Sequence, residues 1–445
     1  MLRRGVQARD PSTVLALLKR LPRPIVKLLI AVKRLVLRVF RSALLRSVRA
    51  EPDPSIDRDR KVFILLVSAW GMGGTIRAAV NLANYLADSR EVEIVSTYRR
   101  REEPYFAFDP RVKVTPLDDE RKGATPLRLR PVRAVLRRIP SALYHPADIR
   151  KHNHSLWTDI RLVRLLRRQR GVIIGCRPGH NILVADLKVP GLVAIGLEQM
   201  NLRSHAKNLK KAMLRRYRDL DGLAVLTEQD REEYQRAMNG AAPPMWRIPN
   251  TVARVEPPRA DLGAKRIFAA GRYTAQKGYD MLIPAFAPVA EAHPEWELKL
   301  CGRGKNTRQL RELVSELGLE GRVTLDGPTD DVPGEMAQAS IYALSSRFEG
   351  FPLVLIEAMS KGMACVAFDC PTGPADIVED HRNGLLVPPR DVGALSAALM
   401  EMVSDEALRR RCGEAALETA ERFTMAAIGP RWEAMMHELL QQRAA

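Results

Sequence analysis

Two glutamates eight residues apart, Glu349 and Glu357, lie in the segment of this sequence best suited to chemistry, SSRFEGFPLVLIEAMSKG (345–362). Pro352 favours the first turn of a helix, and Gly350 lets another group approach the backbone closely. Amides at a helix start attract anions, and the helix dipole adds to this attraction. The amides that we expect to face an anion are those of Phe351, Leu353 and Val354. The alternative is a pair of surface carboxylates near a helix start, where acidic residues are favoured anyway.

Two cations follow another strand-like segment. Arg272 and Lys277 lie five residues apart in GRYTAQKGYD (271–280). A diphosphate could be clamped between the forked guanidinium of the arginine and the ammonium of the lysine. Taken alone, the same loop would be an ordinary solvated turn.

Two glycine-containing loops complete this set. GMGG (71–74) precedes an amphipathic segment, so its backbone N–H groups are placed to approach a phosphate, although such turns often serve only close packing. CPTGPADIV (370–378) follows a buried apolar run and has the composition of a loop that lines the same pocket. The residues expected to contribute from these two loops are Gly73, Gly74, Gly373 and Asp376.

Alternating strand and helix patterns must position these loops. Apolar runs typical of buried parallel strands occur in both halves of the chain. They cover 61–70, 91–98, 171–176, 192–197 and 221–227 in the first half, and 265–273, 296–304, 341–346, 364–370 and 383–389 in the second. The repeated βα units in both halves predict an α/β fold of two doubly wound Rossmann-like domains that face each other across a cleft. Open α/β sheets bind ligands at the carboxyl ends of their strands, and this is where the loops described above are expected to lie.

The chain is expected to divide into four segments. A basic amphipathic extension with a linker should occupy 1–60, followed by one Rossmann-like domain at 61–250 and a second at 251–430. A C-terminal helix at 431–445 should pack back toward the first domain. The connection between the domains is assigned to 248–263, and a basic, proline-dotted insertion lies at 128–152.

The charge of this 445-residue chain is unevenly distributed. Residues 1–250 have a balance of +25 and residues 251–445 a balance of −6, which indicates an anionic partner for the first half. The five cysteines are scattered without a CxxC pair, as is typical of buried thiols in a reducing cytosol. His152 and His154 are typical of a surface loop, and no zinc-binding spacing is present, so no metal is expected.

The stretch PIVKLLIAVKRLVLRVFRSALLRSVR (24–49) predicts an amphipathic helix. Its uncharged runs are too short to span a bilayer, and basic residues interrupt the apolar core that a signal peptide would need. The basic side of this helix would contain Lys27, Arg34, Arg38, Arg41 and Arg49, and the opposite, apolar side Val32, Val36, Val39 and Phe40. Lys33 is the main basic residue outside the basic side. Such a helix suits the headgroup plane of an anionic membrane. The alternative is a helix packed on the protein's own surface with a solvated basic face.

Three segments together resemble the family-4 (group 1) retaining glycosyltransferases of the GT-B fold, and the resemblance runs from about residue 61 to the C-terminus. These segments are GRYTAQKGYDMLIPAF (271–286), SSRFEGFPLVLIEAMSKGMACVAFDCPTGPADIV (345–378) and NGLLVPP (383–389). The spacing of Glu349 and Glu357 is the signature of that family. The resemblance implies that Glu349 contacts the donor sugar and stabilises positive charge on its ring, and that Glu357 hydrogen-bonds the nucleotide ribose.

The resemblance also assigns the remaining donor contacts. Arg272 and Lys277 would hold the donor diphosphate without a metal, and Gly73 and Gly74 would contribute from the opposite domain when the cleft closes. The first domain would then bind the acceptor and the second the donor. A front-face mechanism, in which the leaving phosphate accepts the proton of the acceptor, is what the resemblance suggests.

The first domain departs from the family pattern. Many relatives carry a histidine beside a glutamate after the strand that corresponds to LVAIGL (192–197), but here Glu198 and Gln199 occupy that place. Gln199 can hydrogen-bond a sugar but cannot carry a proton. His205 and His180 are therefore candidates for the acceptor side, each weighed against an ordinary surface histidine.

The resemblance implies a retaining, metal-independent glycosyltransferase without a cofactor. It would move a hexose or N-acetylhexosamine from a nucleotide diphosphate sugar, which we expect to be UDP-linked, to a cell-envelope glycan or a lipid-linked or polyanionic acceptor. We expect a cytoplasmic protein attached peripherally to the inner face of the cell membrane through residues 24–49.

Two other functions remain open at this point. A nucleotide-sugar epimerase of similar fold would release free UDP without a transfer product. A non-enzymatic binder of nucleic acid or another anionic polymer would show salt-dependent affinity without binding sugar nucleotides. Since the sequence carries no RRM, KH or zinc-finger signature, no nucleic-acid partner is expected.

Overall fold

The computed structural model describes residues 22–252 and 257–443, which form two parallel sheets flanked by helices. The parts of the sequence predictions that fall on residues 1–21, 253–256 and 444–445, and on the side chain of Lys27, lie outside the described residues. The boundaries assigned to the four segments stay predictions.

The first sheet is built mainly from short, buried apolar runs. Its strands are β1 (Lys61–Leu66), β2 (Glu91–Arg99), β3 (Lys113–Asp119), β4 (Gly171–Gly175), β5 (Leu192–Leu197), β6 (Gly222–Val225) and β7 (Met245–Arg247). They pair in parallel in the order β3-β2-β1-β4-β5-β6-β7. The direction of winding reverses between β1 and β4, and in such sheets the crevice at this reversal is the ligand site.

The second sheet repeats this design. Its strands are β8 (Arg266–Ala270), β9 (Glu297–Cys301), β10 (Val323–Asp326), β11 (Ile341–Leu344), β12 (Ala364–Phe368) and β13 (Leu385–Val387), in the order β10-β9-β8-β11-β12-β13. The winding reverses between β8 and β11, the two strands that precede the loops of Arg272 and Glu349. The predicted fold class, two doubly wound sheets facing across a cleft, is confirmed.

Three strands were missed by the sequence prediction, namely β3, β7 and β10. All three lie at sheet edges, where one side of the strand has no neighbour. Their residues are mostly only partly buried, so the continuous apolar run that identifies a central strand is absent.

Helices connect these strands and cover both faces of each sheet. In the first half they are α1 (Arg23–Val48), α2 (Gly74–Leu86), α3 (Arg130–Leu136), α4 (Leu156–Leu166), α5 (Pro178–Leu187), α6 (Lys207–Arg216) and α7 (Glu228–Met238). In the second half they are α8 (Tyr279–Ala292), α9 (Thr307–Glu316), α10 (Val332–Ala337), α11 (Leu353–Ser360), α12 (Val392–Ser404), α13 (Glu406–Glu421) and α14 (Met425–Gln442). All five cysteines are free and buried, as predicted.

The last helix, α14, returns to the first domain and packs along α2. Gly429 makes this approach possible, because a Cβ at this position would lie 2.2 Å from the ring of Tyr85. Arg90 and Glu433 form an ion pair of 2.8 Å beside this contact. Trp432 is buried in a core that contains residues of both sheets, so α14 ties the two halves together.

The first helix, α1, lies on the first domain. Leu44, Leu45 and Val48 pack against the core of that domain, and Arg41 pairs with Asp186 of α5. The predicted helix is therefore present. The alternative prediction of a solvated basic face is wrong at Arg41, because this side chain is paired with Asp186. The opposite, apolar side is exposed. None of the helices in the described part of the chain is long and apolar enough to cross a membrane.

Candidate active site

The loop of Lys277 is held tightly against the end of β11. Gly278 adopts a left-handed backbone (φ +66°), and a Cβ there would lie 2.0 Å from the carbonyl oxygen of Ser345. The hydroxyl of Ser345 donates a hydrogen bond of 2.9 Å to the carbonyl oxygen of Lys277. The glycine therefore allows two strand-end loops to meet, and this contact fixes where the Lys277 side chain begins.

Glu349 lies at the meeting point of these loops. Its Oε1 accepts hydrogen bonds from Lys277 Nζ at 2.7 Å and from Ser346 Oγ at 2.6 Å. Its backbone is fixed as well, because its N–H donates to the carbonyl of Pro371 and its carbonyl accepts from Thr372, both at 2.9 Å. The side chain is only 9% exposed. The structure thus brings together the predicted carboxylate and one of the two predicted cations.

Glu357 lies on α11 and is paired across the cleft. Arg77, in the first turn of α2, donates to its Oε1 at 2.7 Å. Burial raises the pKa of the Glu357 carboxyl, and the nearby charges of Arg77 and Lys277 oppose that rise. The two predicted carboxylates therefore differ in partner: Glu349 is held within the second domain and Glu357 by the first.

The glycine loop of the first domain reaches the same place. Gly73 caps α2 with φ +144°, and a Cβ on Gly74 would make an ordinary contact of 3.5 Å with Leu353. The glycine loop and the start of α11 therefore face each other directly across the cleft.

The remaining donor-site candidates have different surroundings. Arg272 is exposed, and its guanidinium has no hydrogen-bond or ion-pair partner among the described residues. Asp376 forms an ion pair of 3.0 Å with Arg247 at the end of β7. Burial raises the pKa of Asp376 and Arg247 opposes the rise. A Cβ on Gly373 would lie 2.9 Å from the ring of Pro352, so this glycine serves close packing beside α11.

Two details at the start of α11 differ from the sequence prediction. The N–H of Leu353 donates to the carbonyl of Phe351 at 2.9 Å, so this amide is not free to face an anion. Pro352 is the capping residue and does not stand in the first turn. Gly350 lies against the other domain, because a Cβ there would be 2.1 Å from the backbone carbonyl oxygen of Gln199.

The predicted acceptor-side residues are engaged within the protein. Gln199 exchanges two amide hydrogen bonds with Asn250, of 3.2 and 2.9 Å. Glu198 is 2% exposed and accepts from Asn181 at 2.6 Å and from the hydroxyl of Tyr217. Both side chains are therefore held by hydrogen bonds within the first domain, and this geometry does not favour a contact between them and an acceptor.

The two candidate histidines are not surface residues either. His205 lies with its Nε2 3.6 Å from Glu198 Oε2. His180 is 2% exposed beside Tyr144 and His154, and burial together with the charge of Arg177 lowers its pKa to about 3. A neutral, enclosed imidazole cannot deliver a proton to the cleft near neutral pH. The surface-loop interpretation is also wrong for His154, which is buried and stacks on Tyr144.

Sequence reasoning missed three residues of this site. Arg77 pairs with Glu357, Asn201 donates to the carbonyl of Glu349 at 3.0 Å, and Ser346 holds its carboxylate. Arg77 follows the GMGG loop by three residues, which places it in the first helical turn beside that loop. Asn201 and Ser346 are common loop residues, and nothing in their sequence context distinguishes them.

Comparison with known proteins identifies a family for part of the chain and a fold for most of it. Residues 255–419 match the family model for glycosyl transferases group 1. An exopolysaccharide phosphotransferase of Streptomyces coelicolor is 36% identical over 393 residues, which are 85% of this chain and 41% of that protein. The poly(glycerol-phosphate) alpha-glucosyltransferase of Bacillus subtilis is 24% identical over 228 residues, or 51% of this chain and 34% of that protein. The chain thus spans less than half the length of either relative.

Solved structures share the fold over most of the chain. The structure of S. aureus TarM with fondaparinux, alpha-GlcNAc-glycerol and UDP superimposes with a TM-score of 0.68 at 16% identity, and the match covers 85% of this chain and 99% of that one. At this identity the likeness shows the fold, and the family model identifies residues 255–419 as a segment of the group 1 glycosyltransferases. The chain therefore has the GT-B fold and carries the group 1 glycosyltransferase segment in its second domain.

Proposed function

We propose that the protein transfers a hexose or N-acetylhexosamine from a UDP-linked sugar, with retention of configuration, to a phosphate-containing cell-envelope glycan or a lipid-linked acceptor. The observation that carries this proposal is the Glu349 carboxylate, held by Lys277 and Ser346 at the reversal point of the second sheet. The acceptor class is supported by the relatives, one named for exopolysaccharide and one for poly(glycerol-phosphate).

The charges of the site suit this reaction. When the bond between the anomeric carbon and the diphosphate oxygen breaks, the sugar ring gains positive character and the diphosphate gains negative charge. Glu349 would face the ring, while Arg272 and Lys277 would neutralise the leaving diphosphate. The acceptor oxygen would bond to the same face of the ring, and its proton would pass to the leaving phosphate oxygen. Because two side-chain cations serve the diphosphate, we expect no metal requirement and no cofactor.

The two sides of α1 support a proposal for the place of the reaction. We propose that the protein works in the cytoplasm with α1 on the inner face of the membrane, because α1 combines an exposed apolar side with several arginines. This attachment would set the cleft close to lipid-linked acceptors.

The proposal is tested with the purified chain and a panel of UDP-glucose, UDP-N-acetylglucosamine and GDP-mannose. At least one donor should bind and be hydrolysed slowly. Glu349→Gln keeps the size of the side chain and removes its charge, and we expect a loss of turnover of about 100-fold or more with donor affinity changed only a few-fold. Glu316→Gln, an exposed carboxylate on α9, is the matched control. Near-normal turnover of the Glu349 variant would contradict the assignment. Conversion of the sugar to its epimer, with UDP release but no transfer product when acceptors are supplied, would favour an epimerase.

A further inference from the structure

A cavity of about 420 Å³ lies between α1 and the first domain. Five arginines line it: Arg34, Arg38 and Arg41 from α1, and Arg215 and Arg216 from the end of α6. Asp186, in the last turn of α5, is the single carboxylate among the described lining residues. The first turn of α5 follows the carboxyl end of β4, so Asp186 and the cavity lie toward the other end of the sheet, away from the donor site.

The single carboxylate of the cavity pairs with only two of its five arginines. Asp186 is already paired with Arg41 and Arg216, and Arg41 also donates to the backbone carbonyls of residues 142 and 143 at 3.2 and 3.1 Å. Within the described ranges, Arg34, Arg38 and Arg215 have neither a hydrogen-bond partner nor an ion-pair partner. Three guanidinium groups are therefore left to meet a ligand of negative charge.

The wall opposite α1 is a fixed structure. The loop 141–146 is anchored by Asp159 of α4, which is 4% exposed and accepts from Ser141 Oγ at 2.6 Å and from the N–H of residue 142 at 2.7 Å. This anchor aims the loop carbonyls at Arg41. In the same loop, burial and the charges of Arg215 and Arg41 lower the pKa of His145.

The outer side of α1 is apolar and uncovered. Among the described residues, nine of the 17 exposed large hydrophobic side chains lie on this one helix, and Leu28, Leu35 and Val39 are 63, 61 and 62% exposed. An isolated exposed apolar residue needs no explanation, but a continuous stripe on one helix does. A helix about 10 Å across then separates this stripe from the cationic cavity, which matches the short distance between acyl chains and phosphates in a lipid monolayer.

We propose that the cavity binds the phosphate of an anionic lipid headgroup while the apolar side of α1 enters the acyl region of the same leaflet. Arg34, Arg38 and Arg215 supply the planar, forked donors that phosphate oxygens accept best. The apolar stripe favours this occupant over a soluble phosphate polymer, since a polymer would leave the stripe in water. The inference rests on the proposed attachment of α1 to the membrane, and it replaces diffuse attraction by a defined site to which the body of the domain contributes.

Arg215 provides the sharpest test because it belongs to α6 and not to the membrane helix. Binding of the full chain to phosphatidylcholine vesicles with and without 30% phosphatidylglycerol should be measured by sedimentation for Arg215→Ala and for Arg218→Ala. Arg218 is an exposed arginine three residues further on that does not line the cavity, so it is the charge-matched control. We expect Arg215→Ala to weaken binding to the anionic vesicles by about 10-fold and Arg218→Ala by less than 2-fold. Equal losses would mean diffuse attraction and would overturn the proposal.

A second pair of variants tests the side of α1 that is used. Arg34→Ala with Arg38→Ala removes two charges from the cavity, and Lys33→Ala with Arg46→Ala removes two from the same helix outside it. Only the first pair should weaken binding strongly; equal losses for the two pairs would contradict the site.

Soluble ligands identify the source of the phosphate. Inorganic phosphate and a poly(glycerol phosphate) should each be tested as competitors and as direct ligands. Polymer binding that depends on Arg215, with unchanged vesicle binding of the variant, would assign the cavity to an acceptor and overturn the lipid proposal. If the unaltered chain binds no vesicles, the membrane attachment in the proposed function fails together with this inference. If it binds and the Arg215 and Arg218 variants are equal, this inference alone fails, and donor hydrolysis measured in parallel shows that both variants are intact.

Discussion

Gly350 is the position where one added methyl group should reveal how the two domains cooperate. A Cβ at Gly350 would lie 2.1 Å from the carbonyl oxygen of Gln199 and 3.0 Å from the Cα of Met200. Both are backbone atoms, so no side-chain rotation can relieve the clash. An ordinary contact begins near 3.4 Å, so Gly350→Ala must separate the two backbones by more than about 1 Å.

This separation acts directly on the predicted catalytic carboxylate. Gly350 follows Glu349, and the carbonyl of Glu349 accepts the cross-domain hydrogen bond from Asn201 at 3.0 Å. A misplacement of about 1 Å at a reacting group can cost about 100-fold in rate. We therefore expect Gly350→Ala to lower the kcat/KM for the donor sugar by about 100-fold. We also expect a lower Tm, because Phe351, which follows Gly350, belongs to the core that contains residues of both sheets.

Gly327→Ala is the control for this experiment. A Cβ at Gly327 would meet no atom within 4 Å, so activity should stay within about 3-fold. Donor hydrolysis and transfer are measured for both variants, with small-angle scattering to detect opening of the cleft. The reasoning is refuted if Gly350→Ala keeps its activity within about 3-fold, or if Gly327→Ala loses as much.

Three further predictions concern charge and pH. Arg77→Met removes a charge that lowers the pKa of Glu357, so this pKa should rise further. As the solution is acidified, the KM for the donor should therefore begin to rise at a higher pH than in the unaltered protein. Identical KM profiles from pH 5 to 8 would contradict this. His180 has a folded pKa of about 3 against about 6.5 when unfolded, so the unfolded chain binds more protons between these values and stability rises with pH there. His180→Asn should remove up to about 1.4 kcal/mol per pH unit of this dependence in urea unfolding at pH 4 to 6, and an unchanged slope would show that His180 is accessible. Because we propose that Arg272 and Lys277 supply the positive charge at the diphosphate, EDTA should leave turnover unchanged, and a loss restored by Mg²⁺ would refute that assignment.

The strand-end loops could be predicted because their signals are local. A buried apolar run followed by glycine or proline marks the end of a central strand, and this holds for the loops of Gly73, Arg272 and Glu349. The contact between Lys277 and Glu349 also follows once β8 and β11 are neighbours, since both residues lie beyond the carboxyl ends of adjacent strands.

Contacts across the cleft could not be predicted in the same way. Arg77 and Glu357 are 280 residues apart, and their pairing depends on how one domain is rotated against the other. Gln199 illustrates the same limit. Its side-chain amide is hydrogen-bonded to Asn250, and Gly350 of the other domain packs against its backbone carbonyl oxygen. The periodicity of α1 revealed two sides, but the side that faces the domain is decided by Asp186, which lies 145 residues away from Arg41.

From the pairing of charges in the cleft we expect the donor to bind in a definite order. Each carboxylate predicted to touch the donor is paired with a cation: Glu349 with Lys277, Glu357 with Arg77 and Asp376 with Arg247. Arg272 has no such partner within the described residues, so an incoming diphosphate can bind it without breaking an existing ion pair. Lys277 would be shared next, and this sharing would weaken its hold on Glu349 and leave that carboxylate to face the sugar ring. Since two of these three pairs join the domains, we expect ribose binding at Glu357 to change the contact between the domains as well.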